Sequence, residues 1–391
     1  MRAISFAVLV CLGFVLSGCG DSSAAGASYQ RCEQAMPAEW RAVIDQQWMS
    51  VGNAPGIVVG VASPVHGFSV YAAGDARLDP ATPMRTDHLF DIGSVMKLFR
   101  AVLVFKLQQA KELSVDDLLN KHIDLPKLDQ RTLTHLLQHS SGMIDIPDSQ
   151  FFADAQKNLK KEYSYDEVIT FLLKSSGPAG PNGGAFANGL QTNFTLGTGF
   201  RYSSHGPLIL GRVAQELTGI NIRTLLRQRV FEPIGMQHTT YVGFEPRPQD
   251  LSAGYVDKKT RFDATDDDAN TMAFSSGFGG IHYSGVCDLL NFGQRVFTDE
   301  SFFSEASRQA MVASPTTSAI GEVGLGVFRF ADWGDFWGHL GSGIHGHSSA
   351  IAHRFANDLT IVVLANIDDR TDQYQTQRRI ISALGQAIAV D

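Results

Sequence analysis

Asp91-Ile92-Gly93-Ser94-Val95-Met96-Lys97-Leu98-Phe99-Arg100-Ala101-Val102-Leu103-Val104-Phe105 is the stretch on which the reading of this chain turns. Positions i and i+3 of a helix share a face, so a helix beginning at Ser94 brings the Lys97 amine to the Ser94 hydroxyl. An amine so placed can take the hydroxyl proton and make a serine nucleophilic without a histidine. The run after Lys97 is apolar on nearly every side, which predicts a helix inside the protein. Burial lowers a lysine's pKa and moves it toward service as a base. An N-cap serine followed by an exposed lysine is the competing account, and the apolar neighbours argue against it.

Further segments carry polar groups at marked positions. Leu133-Thr-His-Leu-Leu-Gln-His-Ser-Ser-Gly142 comes first. Phe200-Arg-Tyr202-Ser203-Ser204-His205 follows, ahead of a helix expected from Gly206 to Leu217. That helix should turn Leu208, Val213 and Leu217 inward and end on Gly219. Trp337-Gly-His339-Leu-Gly341-Ser342-Gly343 reads as a strand, in which Gly341 lets another group approach the backbone closely.

Together, Ser94-x-x-Lys97 and these segments, in this order, resemble the serine β-lactamase and penicillin-binding protein superfamily. The closest likeness is to its class C β-lactamase, D-alanyl-D-alanine carboxypeptidase and β-lactamase-fold esterase branch. That branch carries Ser-x-x-Lys, then Tyr-x-Asn, then Lys-Thr-Gly or His-x-Gly. The likeness runs over roughly residues 40 to 388. It implies an α/β (α+β) fold, β-lactamase/transpeptidase-like, whose antiparallel sheet is built from both termini and flanked by helices. It also implies roles. Ser94 is the nucleophile, Lys97 its base and Tyr202 the proton shuttle, and the Ser94 and Ser342 backbone N–H groups form an oxyanion hole. Ser204, His339 and Gly341 belong to substrate binding. A tyrosine near its normal pKa of ~10 needs a cation such as Lys97 beside it to act as a base.

Two of these positions depart from the commonest family pattern. Ser204 stands where most members carry asparagine, and it offers one rotatable hydroxyl in place of an amide that both donates and accepts. His339 stands where many relatives have lysine, with a charge expected to titrate near neutral pH and to recognise a carboxylate or ester. The shorter Ser204 favours an esterase or other acyl-transfer specificity over efficient β-lactam or peptide hydrolysis.

Composition fits one large folded unit: 391 residues, 44% hydrophobic and 18% charged. A formal net charge of −8 gives a nucleic-acid role no electrostatic support. Residues 1–18 read as a signal peptide: Met1-Arg2, a short apolar stretch, then Leu16-Ser17-Gly18-Cys19, which resembles the bacterial lipobox with Cys19 lipidated. Cleavage near Ser23-Ala-Ala25 with release is the rival reading. Residues 19–36 read as a flexible tether and 37–391 as the hydrolase domain, with a mostly helical insert over about 110–320. The expected location is the periplasmic side of a bacterial membrane, or outside the cell. Expected partners are a small ester or peptidoglycan-like substrate and the membrane, through the lipid anchor. No metal or organic cofactor is implied. Cys32 and Cys287 are left to pair or not.

Element signals support that division. Pro37 to Val51 reads as an amphipathic helix. Gly56–Ala62 and Gly67–Ala72 read as a hairpin. Gly177-Pro-Ala-Gly-Pro-Asn-Gly-Gly184 reads as a loop, as does Asp266-Asp-Asp268. Strands are expected at Gly324–Phe330, Phe336–Gly341, His347–Arg354 and Leu359–Asn366, and a closing helix at Asp372–Ala389. Two rival sites fail. Gly346-His-Ser348-Ser-Ala350 resembles a nucleophile elbow, but no carboxylate lies between Ser348 and His353, the last histidine. His339, His345, His347 and His353 cluster in sequence without the acidic or cysteine ligands of a zinc site. The expectation is therefore a serine hydrolase acting on small esters or D-amino-acid amides. A carboxypeptidase or β-lactamase is the alternative within the enzyme class, and a weakly catalytic binding lipoprotein is the alternative outside it.

Overall fold

The structure is a computed structural model that describes residues 32, 34–177, 185–192, 194–256, 272–277, 279–313, 316–318, 321–368 and 374–388. The expected signal peptide, Cys19, most of the expected tether, most of the glycine-rich loop after Gly177, and Asp266–Asp268 lie outside these residues.

The large sheet has ten strands. In chain order they are β1 (Gln34–Ala35), β2 (Gly56–Ser63), β3 (Gly67–Leu78), β4 (Ala81–Pro83), β5 (Thr316–Ser318), β6 (Gly321–Val323), β7 (Phe328–Phe330), β8 (Phe336–Gly343), β9 (His347–Arg354) and β10 (Leu359–Ala365). Across the sheet they run β1-β3-β2-β10-β9-β8-β7-β6-β5, with β4 on β3. All pairs are antiparallel except β1 with β3. The seam between the two ends of the chain is β2 against β10, in register from Ile57↔Ala365 to Ala62↔Thr360.

β2 and β10 are buried along their whole length because both faces of the sheet are covered. Alternate residues serve opposite cores. Val58, Val362 and Leu364 join the core under the buried helix α2 (Met96–Gln109) and α4 (Val286–Phe297). Ile57, Val59, Val61, Ile361 and Val363 join the core under α1 (Ala38–Val51) and α5 (Gln375–Ala387). Between α2 and α4 in the chain lies α3 (His205–Thr218), which ends on Gly219 at φ 69° as the sequence predicts. Leu208 and Val213 are buried as expected, but Leu217 is 37% exposed, one step off the inward face.

Two other differences have clear causes. Of the expected strand Gly324–Phe330 only Phe328–Phe330 forms one (β7), and residues 324–327 make the turn that follows β6. A Cβ on Gly324 would lie 2.0 Å from the Met311 carbonyl oxygen, and Gly326 sits at φ 83° against Ala101. Within the span read as tether, Cys32 bonds to Cys287 on α4, with Cα atoms 5.7 Å apart, and Gln34–Ala35 pairs with β3. Closing so long a loop of chain removes unfolded-state entropy worth roughly 2–5 kcal/mol.

Candidate active site

Ser94 lies in a 3-10 turn, Gly93–Val95, that runs straight into α2. Gly93 has φ 49°, and a Cβ there would stand 2.4 Å from the Ser342 carbonyl carbon and oxygen, so only glycine lets this turn sit against β8. Asp91 anchors the turn from below. Its Oδ1 accepts the Gly93 N–H at 2.9 Å, and its Oδ2 lies 2.7 Å from His345 Nδ1. Burial alone would raise the Asp91 pKa, but the bond to His345 and the Gly93 N–H hold it below the usual carboxylate value.

Three sequence-predicted side chains meet here. Lys97 Nζ donates to Ser94 Oγ at 2.8 Å, and Tyr202 Oη donates to the same oxygen at 2.8 Å. Lys97 is 3% exposed, and burial lowers its pKa to about 8 against the opposing pull of the Asp145 carboxylate. Its ammonium lies 5.0 Å from the Tyr202 ring centroid. Tyr202 itself shifts the other way: burial, then the Asp145 charge, drive its pKa far above the ordinary value. The phenol therefore stays protonated and acts as a donor. The expected depression of its pKa by Lys97 is not what the surroundings produce.

β8 presents alternate residues to this centre. A Cβ on Gly341 would lie 2.0 Å from the Ile92 carbonyl oxygen and one on Gly343 2.4 Å from Asp91 Cγ, so residues 339, 341 and 343 face the α2 side. The Ser342 side chain points to the other face, where Oγ donates to Asp368 at 2.8 Å. What Ser342 offers the site is its backbone, which lines a small cavity of about 40 Å³ with Ser94 and Lys97.

His339 differs from its expectation. It is 2% exposed, its Nδ1 donates to the Leu340 carbonyl at 2.6 Å, and its buried Nε2 has no partner among the described residues. Burial, reinforced by the Lys97 charge, lowers its pKa to about 3, so it is a neutral imidazole at physiological pH and not a titrating cation. Ser204 is also buried. Its backbone N–H donates to Asp145 Oδ1 at 2.6 Å, and its hydroxyl makes no hydrogen bond among the described residues.

Sequence reasoning passed over two residues of this centre. Asp145 follows the quoted Ser140-Ser-Gly142 by three positions and gathers the Ile146 and Ser204 N–H groups on one oxygen. His139, inside the quoted Leu133–Gly142 segment, stacks on Tyr202 with ring centroids 4.5 Å apart and accepts the Ser203 N–H on Nδ1 at 3.2 Å. Its φ of 56° is the one available signal, and it is a backbone property that sequence does not display. The four C-terminal histidines go to separate places. His345 lies on Asp91, His347 on Ser252, His353 on Thr360 and His339 under Phe328. Ser348 is wholly buried, accepting from Gln377.

A family model described as Beta-lactamase matches residues 40–385. Among curated proteins, the chain is 23% identical over 326 residues to penicillin-binding protein 4* of Bacillus subtilis, covering 78% of this chain and 66% of that one. It is 28% identical over 200 residues to esterase EstB of Burkholderia gladioli, covering 46% of each. The chain thus spans two thirds or less of the length of these relatives. Among solved structures, D-amino acid amidase from Ochrobactrum anthropi SV3 superposes with a TM-score of 0.72 at 21% identity, over 90% of this chain and 100% of that one. At that identity the likeness speaks for the fold alone, a β-lactamase/transpeptidase-like sheet with its helices.

Proposed function

The chain belongs to the beta-lactamase family, and from that premise we propose that it is a serine hydrolase whose nucleophile is Ser94. The observation that carries the proposal is the convergence of Lys97 Nζ and Tyr202 Oη on Ser94 Oγ, each at 2.8 Å. In its neutral form Lys97 accepts the Ser94 proton as Oγ attacks a carbonyl. The tetrahedral oxyanion is held by the Ser94 and Ser342 backbone N–H groups. The Tyr202 phenol gives its proton to the leaving group as Lys97 returns to the phenol oxygen the proton it took from Ser94, leaving an acyl ester on Ser94. Water then attacks that ester with the same groups in reverse.

The proposed substrates are small esters or amides of D-amino-acid type. A neutral His339 and a short Ser204 remove the cation and the amide that would grip a carboxylate and a peptide bond, so esters are favoured. The relatives include a penicillin-binding protein and an esterase, and a structural neighbour is a D-amino acid amidase. D-Alanyl-D-alanine carboxypeptidase or β-lactamase activity is the second reading. The proposal also places the protein in the cell envelope, held by Cys19. The Cys32–Cys287 disulfide is of the kind that persists in an oxidising compartment.

The test is turnover of a short-chain p-nitrophenyl ester, a D-phenylalanine amide and a tagged penicillin by the protein and its Ser94→Ala variant. Ester turnover lost in the variant supports the proposal. Stable penicillin labelling without turnover supports the second reading. Full activity in Ser94→Ala sinks the assignment of the nucleophile.

A further inference from the structure

Arg100 lies one turn beyond Lys97 on α2 and is 2% exposed. The fold is built around its guanidinium. A Cβ on Gly211 of α3 would stand 1.9 Å from Arg100 Nη1, and one on Gly279 would stand 3.4 Å from Nη2. Among the described residues its one hydrogen-bond partner is Tyr165 Oη, at 3.5 Å, while Nε has none and no carboxylate pairs with it. The guanidinium is thus a buried cation with no carboxylate partner among the described residues.

The guanidinium faces a cavity of about 200 Å³, room for several waters or a small ligand. Two further arginines line it, but their charges are already taken. Arg212 pairs with Glu216 at 2.9 Å and approaches Asp166 at 3.8 Å, and Arg223 pairs with Glu162 at 3.2 Å. Tyr165 accepts from Arg100, lines the cavity, and makes no other hydrogen bond through its hydroxyl among the described residues. Gly279 and Gly280 line this cavity, whereas Ile281 lines the one that holds Ser94 and Lys97. The two sites stand back to back across one stretch of chain.

We infer that this cavity is a second site, which binds a small oxyanion on the Arg100 guanidinium with the Tyr165 hydroxyl as an added donor. The ligand chemistry is a carboxylate or phosphate group, since the planar fork of arginine takes either in bidentate fashion. Glu162 and Asp166 also line the cavity, so the anion must be compact enough to seat on Arg100 clear of these carboxylates. The inference does not depend on the reaction proposed for Ser94.

Thermal unfolding of the protein in low-salt buffer tests it, with inorganic phosphate and acetate added against sodium chloride at matched ionic strength. Saturating phosphate or acetate is expected to raise the Tm of the wild type by about 2 °C or more beyond chloride. The response is expected to vanish in Arg100→Met and to survive in Ser94→Ala. A phosphate-only response assigns a tetrahedral anion, and an acetate-only response assigns a carboxylate. Equal shifts in wild type and Arg100→Met, or no shift in wild type with either anion, overturn the inference. Should Arg100→Met fail to fold, Tyr165→Phe serves in its place. It is expected to need several-fold more anion for half the effect, and an unchanged midpoint counts against the site.

Discussion

Lys97 and Arg100 stand three residues apart on α2, both almost wholly buried, and the same desolvation leads them to opposite ends. The lysine escapes part of the cost by giving up its proton, which is why its pKa falls to about 8 and why it is useful beside a hydroxyl. The arginine has no such exit. It keeps its charge, has no carboxylate among the described residues, and faces a cavity in place of a reacting group. One helix thus carries the proposed base in one turn and the proposed anion anchor in the next, and side-chain chemistry separates their responses to burial.

Ser94→Ala tests the first turn most severely. Removing the proposed attacking oxygen is expected to cut ester turnover by about 10³-fold or more, measured as kcat at saturating substrate. Lys97→Arg comes next and puts the contrast itself on trial. It preserves the charge but abolishes the ability to accept a proton, so a loss of roughly 10²–10⁴-fold in kcat/KM is expected, as large as in Lys97→Ala. If Lys97→Arg retained most of the activity, the amine would be acting as a charge and not as a base.

Gly211→Ala probes the second turn. In an open helix the change would add stability, about 1 kcal/mol on propensity. Here the new Cβ would overlap the Arg100 guanidinium, so a loss of about 1–3 kcal/mol is expected in denaturant melts. A stabilised Gly211→Ala variant would mean that the guanidinium is not seated there.

The smallest effect sharpens the base. In the proposed mechanism Lys97 works unprotonated, so kcat/KM for the ester should rise with pH through about 8. Asp145 opposes the lowering of that pKa, so Asp145→Asn should move the rising limb to lower pH. A limb that stays put or moves upward would show that the carboxylate does not act on Lys97.

Much of the centre was legible along the chain, for reasons that differ by residue. Ser94 and Lys97 are joined by helical spacing, a local rule that needs no tertiary knowledge. Tyr202 was identified by motif order, and the structure brings its hydroxyl to the same oxygen. His339 was located on its strand but given the wrong charge. Its imidazole is neutral because β7, β8 and α2 close over it, and burial depends on neighbours far off in sequence. The Ser342 side chain, the Asp91–His345 pair beneath Ser94 and the Asp145 carboxylate are long-range contacts of the same kind.

Local pattern therefore determined the buried helix with its serine and lysine, the strands near the two chain ends, and the order of the motifs. Periodicity and short spacing are properties of contiguous residues, and they hold wherever the segment is placed. Tertiary structure alone decided which charges survive in the interior: a lysine able to lose its proton, a histidine held neutral, and an arginine left facing a cavity. Desolvation and Coulomb energy depend on what packs around a group, and that is settled only when distant segments meet.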